Sequence, residues 1–279
     1  MIHTGTVPVL MYHHVSPVPG AITCFPSNFE DQLRWLSERQ YRSLTSSEFA
    51  AYIDGHAVPK KSVLITFDDG YLDNWVYAHP LLKKYGFNAL IFLVTSWVKD
   101  GPIRAQSDGD IVPETPSHTD CERLIDMGQS DQVILRWSEI KRMQVDGVFE
   151  FHSHTHTHTR WDKSDQASEK NALMQEELTL SRAALKQNLG DVSDHFCWPQ
   201  GYFDDDYIRI AQQAGFRYLY TTKAFGQNRQ GMDPTGIFRF AVRNTSGASV
   251  GRRIRVATNP VIAPIFNRWK LWKRQLRTA

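Results

Sequence analysis

Short apolar runs alternate with amphipathic stretches along this chain, a pattern that predicts strands and helices in turn. Val7–Tyr12 is an apolar run that ends in His13-His14. Val63–Phe67 and Ala89–Thr95 are rich in β-branched and aromatic residues, as strands buried on both faces are. Further strands are predicted at Val148–Phe151, His195–Trp198, Phe216–Thr221 and Ile237–Val242. Between the first two, Phe29, Leu33 and Leu36 recur at helical spacing behind Ser27-Asn-Phe-Glu30, which has the form of a capping box. A helix from about Tyr71 to Tyr85 should be perturbed near Pro80 and stopped by Gly86. Ser138 is placed to cap a short helix ending at Gly147, Ser168–Leu189 reads as a long amphipathic helix stopped by Gly190, and Asp205–Ala214 as another. Gly101 to about Gln132 is rich in Pro, Gly, Ser and Asp without a clear period, and predicts an irregular surface insertion. Strands separated by helices predict an α/β fold with a mostly parallel sheet, open or closed into a barrel. Active sites in such folds lie at the C-terminal ends of the strands.

Composition narrows the class. With 279 residues, 41% hydrophobic and 22% charged, the chain can bury a real core and is not a disordered segment. No run approaches the roughly 18 apolar residues that a spanning helix needs. The start, Met-Ile-His-Thr-Gly-Thr-Val-Pro, has no basic region followed by an apolar one, so no secretory signal is expected. Three widely spaced cysteines fit a reducing compartment better than a disulfide framework. Together these features give the expectation of a cytoplasmic protein.

The net charge of +2 hides an asymmetry, because residues 251–279 carry eight Lys/Arg and no Asp/Glu while the body is mildly acidic. Ile262, Ile265, Phe266, Trp269, Trp272 and Leu276 fall near one helical face, and Arg268, Lys270, Lys273, Arg274 and Arg277 crowd much of the rest. That is the signature of a helix lying in a membrane interface. Peripheral contact with the anionic inner leaflet through residues 262–277 is therefore expected ahead of a docked helix or a nucleic-acid tail. The expected organisation is a domain over 1–250 and a basic amphipathic tail over 251–279.

Two clusters carry chemistry. Thr66-Phe67-Asp68-Asp69-Gly70-Tyr71 puts adjacent carboxylates at the end of a buried strand, where both cannot ionise without compensation. A metal ion removes the difficulty: one Asp ligates it and the other stays free as a base. Phe151-His152-Ser153-His154-Thr155-His156-Thr157-His158 holds four of the eleven histidines. A strand that breaks after His154 would bring His154 and His158 together, and a carboxylate with two imidazoles leaves open positions on a divalent ion.

Thr66–Tyr71 and His154–His158 resemble the first two motifs of the polysaccharide deacetylases, carbohydrate esterase family four or the NodB-homology domain. Val9-Leu-Met-Tyr-His-His-Val15 and Phe196-Cys-Trp-Pro-Gln-Gly201 resemble the branch of the poly-N-acetylglucosamine deacetylases. The resemblance runs from about Val7 to Val242. It implies a distorted (β/α) barrel of about seven parallel strands and metal-dependent removal of acetyl groups from an N-acetylated glycan of the cell envelope or its lipid-linked precursor. Rival readings are a related amide hydrolase or deformylase, and a sugar-binding module without activity.

Carried over by position, the resemblance makes Asp69, His154 and His158 ligands of a divalent ion, zinc first and cobalt or nickel next. His152 and His156, one frame earlier, fit the same histidine motif less well. Asp68 becomes the general base. In the third motif Cys197 stands where the family often has Arg, and Gln200 where it often has Tyr. The Gln200 N–H remains available to an oxyanion, and Arg239 is the candidate to replace the missing Arg beside the base. No His follows His195, so the general acid is assigned to His13, with His195 as the alternative. Trp137, Tyr202 and Trp198 are candidates to stack on the sugar or line an acetyl pocket, or ordinary core aromatics. The implied partner is a glycan; no nucleic acid is implied.

Overall fold

A computed structural model describes residues 2–3 and 5–278. Its centre is a curled sheet of seven parallel strands: β1 (Val9–Tyr12), β2 (Ser62–Asp69), β3 (Ala89–Leu93), β4 (Phe149–Ser153), β5 (His195–Cys197), β6 (Tyr218–Tyr220) and β7 (Phe240–Ala241). The order across the sheet is β6-β5-β4-β3-β2-β1-β7, and Arg42–Ser43 adds to the start of β2. Ile237 also bridges Tyr220 in parallel. The segment 237–241 therefore pairs with β6 at one end and with β1 at the other, through Phe240 opposite Leu10. This one segment closes the sheet into a distorted barrel.

The register sets two apolar layers. Leu64, Leu90, Phe92, Tyr220 and Ile237 form one cluster, to which Phe49, Tyr52 and Ile53 are joined. The alternate residues Ile65, Phe67, Ile91 and Leu93 face the surrounding helices. Every residue of β2 is buried, the pattern of a central parallel strand covered on both sides.

The helices are α1 (Pro26–Glu38), α2 (Ser46–Ile53), α3 (His79–Tyr85), α4 (His118–Asp126), α5 (Trp137–Val145), α6 (Lys170–Leu189), α7 (Asp205–Gln213), α8 (Gly247–Thr258) and α9 (Ile262–Thr278). Three sequence expectations need correction. Helix α1 starts at Pro26 behind an uncapped Phe25, because proline is already set for the first helical position. Glu30 then bonds Lys84 (2.6 Å) and the Tyr85 hydroxyl (3.1 Å) instead of reaching back to Ser27. Helix α5 starts at Trp137, and Glu139 accepts from the Arg136 N–H at 2.8 Å, so Ser138 is inside the helix. The insertion is not wholly irregular, since Ser117 caps α4 within it. The perturbation before Pro80 is a π-helical turn over Asn74–Ala78, and Gly86 ends α3 with a left-handed backbone.

Helix α8 crosses position 250 and packs on α1. Val250 and Ile254 are buried. At Gly251 an added Cβ would lie 2.0 Å from the Trp35 ring. Overpacking of this kind costs about 1–3 kcal/mol. Gly251→Val should therefore lower the thermal midpoint by several degrees in a calorimetric scan, while Gly231→Ala, with open space around it, tests the separate effect of a strained backbone.

Candidate active site

An open cleft of about 280 Å³ lies at the C-terminal ends of the strands, with Asp68, Asp69, His154, His158 and His13 on its walls. Gln200 and Trp97 line it as well. Strand alternation would send Asp68 and Asp69 to opposite faces. It breaks where they stand: Asp69 has φ 74° and Gly70 φ 83°. A Cβ at Gly70 would meet Leu93 Cδ2 at 2.6 Å, so this exit turn needs glycine twice over.

The Asp69, His154 and His158 side chains offer ligand atoms within 4.8 Å of one another. Asp69 Oδ1 is 3.4 Å from His154 Nε2 and 3.6 Å from His158 Nε2. That oxygen is buried and has no hydrogen-bond partner among the described residues. His154 Nδ1–H donates to the Cys197 carbonyl at 2.8 Å, which fixes the ring and turns Nε2 to Asp69. Burial opposes ionisation of Asp69, yet the imidazoles around it hold its carboxyl far below the usual range. Burial likewise opposes charge on His154, but Cys197 first, with the Asp69 and Asp68 carboxylates, holds its proton on well above the usual range. For His158 burial wins, and its pKa falls to about 4. A carboxylate and two imidazoles around one orphaned oxygen fit a divalent cation, which would take the place of the His154 proton.

A second group, Asp68, His154 and Cys197, is equally compact. Its Asp is already engaged. Arg239 donates to Asp68 Oδ1 at 2.6 Å and to Oδ2 at 2.9 Å, and its third nitrogen donates to the Thr221 carbonyl. Burial would raise the Asp68 carboxyl, but Arg239 foremost holds it below the carboxylate range. The guanidinium thus reaches Asp68 from β7's end of the barrel, while Cys197 lies buried against it at 2.9 Å.

His13 Nε2 stands 3.8 Å from Asp68 Oδ2, with its ring one-fifth exposed. Burial lowers its pKa against the pull of Asp68 and Asp69, which favours the neutral ring. His195 lies within the barrel instead, against the Tyr220 hydroxyl at 2.9 Å. His152 is buried beside Phe92 and His195, and His156 bonds Thr95 Oγ1 at 2.9 Å; neither joins the ligand group.

The stacking candidates fall elsewhere. Trp137 is buried in the main core at the start of α5, and Trp198 is buried among Phe196, Phe203 and Tyr207. Tyr202 packs under the Arg160 guanidinium at 4.3 Å. Among the described residues the aromatic walls of the cleft are Trp97 and Tyr71, the last residue of the first motif, neither of which is among the stacking candidates. Glu177 was also missed. It accepts from the His156 and Thr157 N–H groups, both at 2.7 Å, and so shapes the histidine loop. Its signal is an acidic residue on the buried stripe Met174, Leu178, Ser181 and Leu185 of α6.

The polysaccharide deacetylase family model matches residues 55–219. The chain belongs to the polysaccharide deacetylase family. The poly-β-1,6-N-acetyl-D-glucosamine N-deacetylase of Staphylococcus aureus (strain NCTC 8325 / PS 47) is 28% identical over 200 residues, 70% of this chain and 59% of that one. The alignment thus spans less than two thirds of this curated relative. IcaB from Ammonifex degensii superposes with a TM-score of 0.70 at 25% identity, covering 89% of this chain and 97% of that one. The Streptococcus pyogenes deacetylase PplD, solved with acetate, superposes with a TM-score of 0.71 at 21% identity over 92% of this chain and all of that one, a likeness of fold.

Asp69→Ala, His154→Ala and His158→Ala should each weaken zinc or cobalt binding by about 100-fold or more, since even outer-shell changes cost 10–100-fold. His152→Ala should bind nearly as the parent does. Calorimetric titration reads both, and the affinity of the parent should fall as pH drops through the raised His154 pKa, where the proton competes with the ion.

Proposed function

We propose that the protein hydrolyses N-acetyl groups from a polymer of N-acetylglucosamine, with a divalent cation held by Asp69, His154 and His158. The observation that carries this reading is the buried, unpartnered Asp69 Oδ1 between two imidazole nitrogens, on the same cleft as the Arg239-bound Asp68. The polymer is chosen from the names of the relatives, among them the staphylococcal poly-β-1,6-N-acetyl-D-glucosamine N-deacetylase. Zinc, cobalt or nickel suits the donor set, and such a cation when bound polarises the amide carbonyl and acidifies water beside it.

The chain's own residues do the rest. Asp68 stays ionised beside Arg239 and accepts the proton of the attacking water. Arg239 holds the carboxylate in place through two bonds, so its orientation survives the gain of a proton. His13 rests neutral next to Asp68 and passes that proton to the departing nitrogen, which leaves as a free amine with acetate as the other product. Gln200, across the cleft, supplies a backbone N–H to the developing oxyanion.

Contact with an anionic membrane surface is a second proposal, carried by the way α9 is turned. Ala263 is buried and Phe266 packs toward Phe225, whereas Ile262, Ile265, Trp269, Trp272 and Leu276 form one exposed stripe. Arg268 and Lys273 flank it; the side chains of Arg274 and Arg277 lie outside the described residues. No helix among the described residues is long and apolar enough to cross a membrane. The contact is interfacial, with each nearby cation contributing about 1 kcal/mol.

Asp68→Asn should keep the metal and lose acetate release from N-acetylglucosamine oligomers by ~10²–10⁴-fold. Arg239→Gln removes the group that keeps the Asp68 carboxyl low and leaves its burial, so the acid limb of the kcat/KM profile should move to higher pH. An unshifted limb in an active variant would separate Arg239 from the base.

The membrane proposal is read by co-sedimentation with phosphatidylglycerol vesicles. Binding should fall with salt and drop sharply in the Trp269→Ala, Trp272→Ala double variant while acetate release from soluble oligomers persists. Full-length protein that ignores these vesicles at low salt refutes it.

A further inference from the structure

The histidine after His13 belongs to a different chain of contacts, one that ends in the same cleft. His14 is fully buried, and its Nδ1–H donates to Asp73 Oδ2 at 2.6 Å. Asp73 is itself fixed, since its Oδ1 accepts from the Val15 N–H at 2.9 Å and from Asn74 Nδ2 at 2.8 Å. The His14 ring also stacks on Tyr71 at 3.8 Å, which fixes its position, and the Asp73 carboxylate places a proton on Nδ1. In the neutral ring its Nε2 is a lone pair, and it meets His118 Nδ1 at 3.2 Å. With His14 in that tautomer, His118 is the donor in the bond. The Tyr71 hydroxyl lies 3.3 Å from the same nitrogen.

This order of donors leaves His118 Nε2 as a bare acceptor on the cleft wall, 3.5 Å from Glu122 Oε1. Burial lowers the His118 pKa and wins over the opposing pull of Glu122 and Asp69, in keeping with a neutral ring. Two acceptors face each other across a gap open to the cleft. Such a pair is completed by a ligand that donates a proton between them, and a sugar hydroxyl does this without a net charge.

We propose that His118, brought to the cleft by the insertion helix α4 and aligned by the buried Asp73–His14 pair, is a substrate-binding residue that accepts a hydrogen bond from a hydroxyl of the bound sugar. The role rests on the deacetylase reading and adds a specificity element to it. His118 makes no claim on the metal or on the proton transfers, which lie on the wall formed by Asp68, Asp69, His154 and His158. The insertion thereby shapes which sugars are held.

The test is a binding measurement on the full chain by NMR titration with the methyl glycoside of N-acetylglucosamine and each of its monodeoxy analogues. His118→Gln keeps a polar atom near the Nε2 position; His118→Asn keeps the bond to His14 but falls short of the cleft. One hydrogen bond of ordinary strength predicts about a tenfold loss of affinity for His118→Asn and much less for His118→Gln. One deoxy analogue should bind the parent about tenfold more weakly and His118→Asn no more weakly than the full sugar does. Equal loss for that analogue in both proteins, or parent-like affinity in His118→Asn, overturns the proposal while leaving the deacetylase reading intact. A parent protein that binds no amino sugar and releases no acetate overturns both.

Discussion

Two carboxylates side by side at the buried end of β2 are the constraint around which this barrel is arranged. Left unpaired, either one would take up a proton or resist burial. The two are compensated differently. Asp68 gives both oxygens to Arg239, while Asp69 keeps one oxygen free of any partner among the described residues and faces two imidazoles. The first arrangement leaves an ionised, oriented carboxylate. The second leaves a place for a cation. Neither carboxylate can substitute for the other, because the guanidinium has already been spent on one of them.

Barrel closure is tied to that division. Arg239 sits between Ile237, which pairs with β6, and Phe240, which pairs with β1. The same few residues that join the two sheet edges carry the guanidinium across to Asp68. Cys197 occupies the strand end where a family Arg often stands, and a thiol there leaves room for the Arg239 side chain to arrive from the opposite direction. A change that opened the sheet between β6 and β7 would therefore free Asp68 from Arg239 as well as destabilise the fold.

The strands were legible because each is a run of β-branched and aromatic residues ending in a polar cluster, and the burial of both faces of β2 keeps that signal free of surface noise. The adjacent carboxylates and the histidine run were legible for the same reason: chemistry stands out against an apolar strand. Helix starts were less so. Ser27 and Ser138 have the right composition for caps, but Pro26 and the reach of Glu139 to Arg136 set the starts earlier. Aromatic residues misled most, since Trp137 and Trp198 carry the same letter whether they stack on a ligand or fill a core. His118 was invisible because its significance lies in contacts with His14 and Tyr71, more than forty positions away in sequence.

The histidine loop shows how the fold holds a geometry that its own backbone resists. Asp69, Thr155 and His158 all adopt left-handed conformations, each costing of order 1–3 kcal/mol for a residue with a side chain. The offsets are close by. Ser153 Oγ accepts from the Thr155 N–H, Thr155 Oγ1 accepts from the His158 N–H at 3.1 Å, and the buried Glu177 carboxylate gathers two further N–H groups of the loop. Charge-assisted bonds of this sort are stronger than neutral ones. Glu177 thus does for the histidine loop what Arg239 does for Asp68: it uses one buried charge to pin the atoms that the cleft requires, and the strain is retained because relaxing it would leave that charge unpaired.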